Sequence, residues 1–221
     1  MHPDPWLWLL QANDTAYPSG SYAHSFGLEE LVECGVVKTG ADLETFLENQ
    51  VLPNLLTFEI PHFVTAHAAA VAGDVAALLA LDAELDAWRI PFELRDASRR
   101  IGSQRLDLLH QLDPTPLIAE IRAASPRCHH LVVTALELSS LPVEQAARAF
   151  GFQTIASLTA ASMKLMRIGQ TAVQKISRNN LAKLGEQIDA SLTQPADGWF
   201  NPLLEIASLR HARANHRLFI S

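Results

Sequence analysis

Apolar residues recur along this chain at spacings of three and four almost from end to end. Nowhere do they alternate in twos for long enough to build a half-buried strand. The residues at those positions are helix formers: 33 leucines and 32 alanines stand against 11 valines and 11 isoleucines in 221 residues. The expected fold class is all-α, a compact bundle of about ten helices with short loops, in a single domain covering residues 1–221. An apolar content of 48% with 19% charged residues is enough for a substantial core.

The punctuation sets the order of the helices. Trp6, Leu7, Leu9 and Leu10 start a short one, which the turn chemistry of Asn13-Asp14 and Pro18-Ser19-Gly20-Ser21 breaks. Phe26, Leu28, Leu31 and Val32 place a second between Tyr22 and Cys34, ended by Gly35. Thr39 caps a run through Leu43, Phe46, Leu47 and Val51 that meets Pro53 and then Pro61, which is either two helices or one long bent one. Gly73-Asp74 precedes Leu78, Leu81, Leu85 and Trp88, and Ile90-Pro91 closes that helix before a run from Leu94 to Leu112. Further helices are expected at about 116–124, 128–140 and 143–150, then one through Leu158, Ala161, Leu165 and Ile168, and one from Val173 to Ile188. In the last helix Leu203, Ala207, His211, Ala214 and Leu218 fall within about 80° of arc, with Arg210, Arg213 and Arg217 on the flank.

A net charge of -7 opposes a phosphate backbone, so nucleic acid is not an expected partner. The uncharged stretches are short and interrupted, and the N-terminus lacks a basic run before an apolar one. No membrane partner and a cytoplasmic location are therefore expected. Cys34 and Cys128 are expected to be buried thiols. Charge is segregated along the chain. Residues 164–183 carry Lys164, Arg167, Lys175, Arg178 and Lys183 with no acid, while residues 29–48 carry six acids and one lysine. Either these are solvated helix faces, or they are surfaces steered toward different partners.

The familiar enzyme signatures are missing. None of the ten glycines precedes a lysine as a phosphate cradle requires, and there is no G-x-S-x-G elbow and no H-E-x-x-H helix. His62/His67 and His211/His216 are five residues apart, about 140° around a helix, where two rings do not readily share an ion. No catalytic residue and no resident metal or cofactor is expected.

The run Leu10-Gln11-Ala12-Asn13-Asp14-Thr15-Ala16-Tyr17-Pro18-Ser19-Gly20-Ser21-Tyr22-Ala23-His24-Ser25-Phe26-Gly27-Leu28-Glu29 resembles the urease accessory protein F (UreF) family. The likeness continues through Glu93-Leu94-Arg95, Gly102, Gly169-Gln170 and the tail His211 with Arg217-Leu218-Phe219 and Ser221. It implies an all-helical, homodimeric, non-enzymatic helper that bridges the urease-binding accessory protein D (H in some systems) and the nickel-carrying GTPase, protein G. Such a bridge couples GTP hydrolysis to nickel insertion into apo-urease, with nickel handled only transiently. By position, Arg217, Leu218, Phe219 and Ser221, with His211, Arg210 and Arg213, correspond to the segment that docks on protein D, as a flexible end that orders on binding. His211, on the apolar stripe, is expected to be a core imidazole. Asp14, Pro18, Gly20, His24, Ser25, Glu29, Lys164, Gly169 and Gln170 are carried over as motif residues shaping the turn, touching the GTPase or lining an ion path.

The chain departs from the family pattern at His129-His130-Leu131-Val132-Val133-Thr134-Ala135, where a proline and a glycine are expected, and at Lys164, Arg167 and Ala212. Two competing readings follow. One is a metal-dependent hydrolase built from His24, His129, His130 and nearby acids. The other is a helical adaptor of this lineage that acts outside urease maturation.

Overall fold

The structure is a computed structural model that describes residues 4–14, 16–18, 24–198, 201–211 and 218–219. Its described residues form ten helices and no strand: α1 Pro5–Ala12, α2 Leu28–Glu33, α3 Gly40–Ala72, α4 Val75–Trp88, α5 Phe92–Leu112, α6 Pro116–Ala124, α7 His130–Glu137, α8 Val143–Leu165, α9 Gln170–Ser191 and α10 Pro202–His211.

Stops and caps act as their chemistry dictates. Gly35 and Gly73 take φ of 74° and 68°, the left-handed conformation that ends a helix without a Cβ penalty. Thr39 and Asp42 form a reciprocal capping box at the start of α3. The second helix starts later than expected, at Leu28, because Phe26 and Gly27 both adopt positive φ and break the pattern in front of it.

The ambiguous run at Pro53 and Pro61 is one long helix. It widens into a π-turn over Leu47–Val51 and another over Leu55–Glu59, each just before a proline. A proline lacks the N–H and crowds the carbonyl four residues back, and the wider turn relieves both defects without ending the helix. At 33 residues α3 is long and apolar enough to cross a membrane, but 67% of its apolar window is buried inside the chain, as befits a core helix. The expected break after residue 150 is also absent: α8 runs unbroken, and Gly151 lies where a Cβ would come within 2.6 Å of the Leu184 side chain. That glycine serves α8–α9 packing rather than a turn. Cys128 is buried, whereas Cys34 is exposed, contrary to expectation, because it follows the short α2 at its solvent end.

The helices enclose two apolar cores. The larger joins Trp8, the second half of α3, α4, the end of α5, α6, α7, the first half of α8 and the later part of α9. The smaller joins α2, the first half of α3, Leu158 and Ala161 of α8, Ile176 of α9, Leu204 and Ala207 of α10, and Phe219. The segregated charges meet across this arrangement. Lys183 on α9 pairs with Glu48, and Asn179 donates to Glu44 at 2.8 Å, so part of the basic run is matched by the chain's own acidic run.

The tightest helix crossing is that of α5 with the entry to α7. A Cβ on Gly102 would stand 1.9 Å from the Cys128 carbonyl oxygen, a backbone atom with no room to yield. Gly102→Ala is expected to destabilise the fold by about 1–3 kcal/mol or more. Gly185→Ala, at an exposed helical position with nothing within 4 Å, should stabilise by about 0.5–1 kcal/mol. Urea unfolding followed by circular dichroism checks both signs.

Candidate functional site

The resemblance's N-terminal motif and C-terminal tail meet at one carboxylate. Glu29, in the first turn of α2 and only 2% exposed, accepts a hydrogen bond from the Leu218 backbone N–H at 2.6 Å through Oε1. Its Oε2 accepts from the Phe219 N–H at 3.1 Å and faces His211 Nε2 at 2.8 Å. The other ring nitrogen, Nδ1, lies 2.8 Å from Glu93 Oε2 on α5. With both nitrogens committed to carboxylates, the imidazole is fixed in orientation and closed to an outside ligand. Ser25 Oγ accepts the Glu29 N–H at 3.3 Å, which secures the first turn of α2 behind this hub.

The tail is held by burial as well. Phe219 is 3% exposed within the smaller core, and Lys164 Nζ stands 4.8 Å from the centre of its ring, a cation–π contact. Leu218 points the other way and is 73% exposed. Phe219 therefore fills a pocket of its own chain, where the expectation was of a flexible end; the hub's three acceptor contacts explain the difference. Arg210 is exposed on α10. Arg213, Arg217 and Ser221 lie outside the described residues, as does Gly20.

Among the remaining motif residues, Asp14, Pro18 and Lys164 line a cavity of about 680 Å³ that lies between the two cores. Asp14 Oδ1 accepts from the Ala16 N–H at 2.7 Å, an Asx turn that presents Tyr17 and Pro18 to the cavity wall. His24 is buried beside Phe26, and burial, then the nearby Arg100 charge, pushes its pKa down to about 4. Gly169 and Gln170 are exposed at the start of α9, away from the Glu29 hub's contacts.

Sequence patterns did not reveal the ionic pairs through which Arg89, Glu59 and Arg105 of the cavity lining are held. Arg105 on α5 donates to Glu137, Gln153 Oε1 at 3.0 Å and the Ala12 carbonyl at 3.5 Å, and Glu137 also accepts from the Tyr17 hydroxyl. Arg89 donates to Glu59 at 2.7 Å. The one available signal was a lone charge in an apolar run, as with Glu59 between Phe58 and Ile60 or Glu137 after Leu136. Such residues are almost never fully buried without a partner.

Geometry and charge among the described residues give the hydrolase reading no support. Among the described residues no three His, Cys, Asp or Glu side chains converge on a point that could hold a metal ion. His130 stacks on Phe150 at 5.4 Å, and His24 packs beside Phe26. His129 does lie between Ser98 Oγ at 3.0 Å and Asp86 Oδ1 at 3.3 Å, the order of a nucleophile, base and acid. However, burial, then Arg89 and Arg99, pushes this imidazole down to about 3, and Asp86 accepts from Arg99 at 2.7 Å. A ring so reluctant to take a proton is a poor general base near neutral pH.

Fold and site thus define a class: an all-helical protein whose buried polar groups are largely paired with one another, with no preformed metal cluster among the described residues. The family model for UreF matches residues 37–180. Similar full-length relatives include the urease accessory protein UreF of Bacillus sp. (strain TB-90), 30% identical over 97% of this chain and 98% of the relative. The UreF of Azoarcus sp. (strain BH72) is 31% identical over 98% and 96%, and that of Azotobacter vinelandii is 31% identical over 97% and 99%. This chain belongs to the UreF family of urease accessory proteins.

Two predictions follow from the site. Glu29→Ala leaves two backbone N–H groups and His211 without their acceptor, so stability should fall by about 3–5 kcal/mol and the amides of Leu218 and Phe219 should exchange faster. Hydrogen exchange and urea titration read both effects. Separately, His24 and His129 are held neutral in the fold with pKa values near 4 and 3, against 6.5 when unfolded, and His67 and His130 are shifted in the same direction. The unfolded chain binds these protons first, so stability is fully present above about pH 6.5 and is lost as pH falls through 6.5 toward 4. Each histidine contributes a slope of up to about 1.4 kcal/mol per pH unit in that window. The urea midpoint should drop steeply between pH 7 and pH 5; a flat midpoint would contradict the assignment.

Proposed function

We propose that this chain is a non-enzymatic adaptor and checkpoint in urease maturation. It bridges the urease-binding accessory protein D (or H) and the nickel-carrying GTPase, protein G, so that GTP hydrolysis is coupled to nickel insertion into apo-urease. In this reading it acts in the cytoplasm as a homodimer with no resident cofactor, and nickel is the cargo of the assembly. Membership of the UreF family is the broad support.

The observation that carries the reading is the Glu29 hub. It joins the N-terminal motif, α5, α10 and the tail into one unit, with Leu218 turned outward. Ile206 and Leu209, on the outer face of α10, are 51% and 57% exposed. Exposed leucine and isoleucine beside a rigid polar anchor suit a protein partner's apolar surface, and α10 presents Arg210 to that partner as well. The docking segment in this proposal is therefore Leu218 with the outer face of α10, Arg213, Arg217 and Ser221, while Phe219 and His211 hold the segment in place from inside. Lys164, Gly169 and Gln170 lie at the α8–α9 junction, which we assign to the GTPase side.

The test is co-purification. Leu218→Asp combined with Arg217→Ala should abolish retention by protein D while helical content and melting temperature stay near wild type, because Leu218 is exposed. Phe219→Ala should lose both retention and stability, because its ring is in the core. Retention of the double variant at wild-type levels would remove the tail from the interface. If wild-type chain mixed with proteins D and G formed no complex and failed to activate urease, the adaptor reading itself would fall.

A further inference from the structure

Of the motif Glu93-Leu94-Arg95, Glu93 serves the Glu29 hub and Leu94 is buried, which leaves Arg95 without a task. Residues three and four apart on a helix are neighbours, so Arg95 shares the outer side of α5 with Phe92, Asp96, Arg99 and Arg100. Four guanidiniums there divide two carboxylates. Asp86 of α4 accepts from Arg99 at 2.7 Å and stands 3.8 Å from Arg95, beyond hydrogen-bond reach. Asp96 is shared by Arg100 and by Arg127, from the loop before α7. His129, also beside Asp86, is held neutral and adds no charge. The other acids of α4 are turned to other groups: Asp82 is buried and accepts from the His129 backbone N–H at 2.6 Å, and Glu84 faces His62 at 3.6 Å. Four cations against two anions leave two positive charges in excess.

These arginines are held in place but only partly used. Arg99 and Arg100 donate through Nε and Arg127 through one terminal nitrogen, and Arg95 makes no hydrogen bond among the described residues. Each guanidinium carries five N–H donors, so most of theirs stay open. Phe92, on the same side of α5, and Ile90, just before it, are 66% and 70% exposed. An open guanidinium fork matches a carboxylate through two parallel hydrogen bonds, and arginine beside an exposed aromatic ring is the composition of a protein-docking surface. The chain's net charge of -7 opposes a long polyanion such as nucleic acid. A short acidic segment feels mainly the local excess, because screening limits the reach of exposed charges to about 8–10 Å. We propose that the outer side of α5, with Arg127, is a docking surface for an acidic segment of a protein partner that carries at least two carboxylates and an apolar side chain to cover Phe92. The inference takes from the adaptor reading only that the occupant is a protein, and it adds a contact surface to that of Leu218 and the outer face of α10.

The experiment titrates the full ¹⁵N-labelled chain with the peptide acetyl-Asp-Glu-Leu-Asp-Glu-amide, with its uncharged analogue acetyl-Asn-Gln-Leu-Asn-Gln-amide, and with tripolyphosphate. The acidic peptide should bind saturably and shift the Nε–H signals of Arg95, Arg99 and Arg127 and the backbone amide of Phe92, with an affinity at least tenfold above that of the analogue. Raising the salt from about 0.05 to 0.5 M should weaken its binding severalfold. Arg95→Gln combined with Arg127→Gln leaves Asp86 its Arg99 and Asp96 its Arg100, so the melting temperature should stay near wild type while the acidic peptide loses at least tenfold in affinity. Equal binding of the two peptides, or acidic-peptide binding that survives the double variant, would overturn the proposal. So would tighter binding of tripolyphosphate, which would give the arginines to a phosphate-bearing ligand, and so would the absence of saturable binding by the acidic peptide. Should the double variant fail to fold, the comparison of the two peptides on the wild-type chain still decides. Neither protein D nor protein G enters the titration, so its failure is distinct from a failure of the adaptor reading.

Discussion

The organisation of the site depends on one buried carboxylate having its acceptor capacity filled. Glu29 takes hydrogen bonds from Leu218 and Phe219 and faces His211, whose other nitrogen reaches Glu93. Removing a carboxylate from water is expensive unless its oxygens are matched, and here the matching groups come from separate places in the chain. The N-terminal motif cannot reach its low-energy arrangement until α5, α10 and the tail are in place. Motif and tail, more than 180 residues apart in sequence, thereby become parts of one structural unit.

The same logic repeats deeper in the bundle with a different outcome. Arg105 and Glu137 have nearly all their valences answered, by Tyr17, Gln153 and the Ala12 carbonyl, and this ties α1, α5, α7 and α8 together. Glu59 accepts from Arg89 through Oε1 while its buried Oε2 has no partner among the described residues, and the Arg89 guanidinium also lies 3.4 Å from His129 Nδ1. A saturated network holds helices in register, while a buried acceptor left without a donor costs stability. The two apolar cores are thus joined by polar contacts of two kinds, one fully paired and one not.

Much of the fold was legible because its signals are local. The caps at Thr39 and Asp74, the stops at Gly35 and Gly73, and the periodicity of Leu78, Leu81 and Leu85 act within a turn or two of themselves. Where the reading failed, a distant contact overruled a local cue. The helix expected to end at residue 150 runs on through Gly151, which is a clearance for Leu184. Of the two readings left open at Pro53 and Pro61 the single long helix holds, the prolines being absorbed by π-turns between the two cores. At the site, a core role for His211 could be read from its place on an apolar stripe. The inward position of Phe219 and the burial of Glu59, Arg89 and Arg105 could not, because nothing near them in sequence names their partners.

By itself, then, the sequence determined an all-helical chain, the approximate count and boundaries of its helices, and through its N-terminal motif a family. All of these follow from side chains acting on backbone within a few residues, or from fixed spacings in a short run. Only the tertiary structure decided which of the charged residues are buried, that the acidic and basic runs partly neutralise each other at Glu48 and Lys183, and that the tail is pinned at Glu29. Those outcomes depend on which helices lie side by side. Burial and pairing energies are properties of that neighbourhood, and the local pattern of any one helix does not carry them.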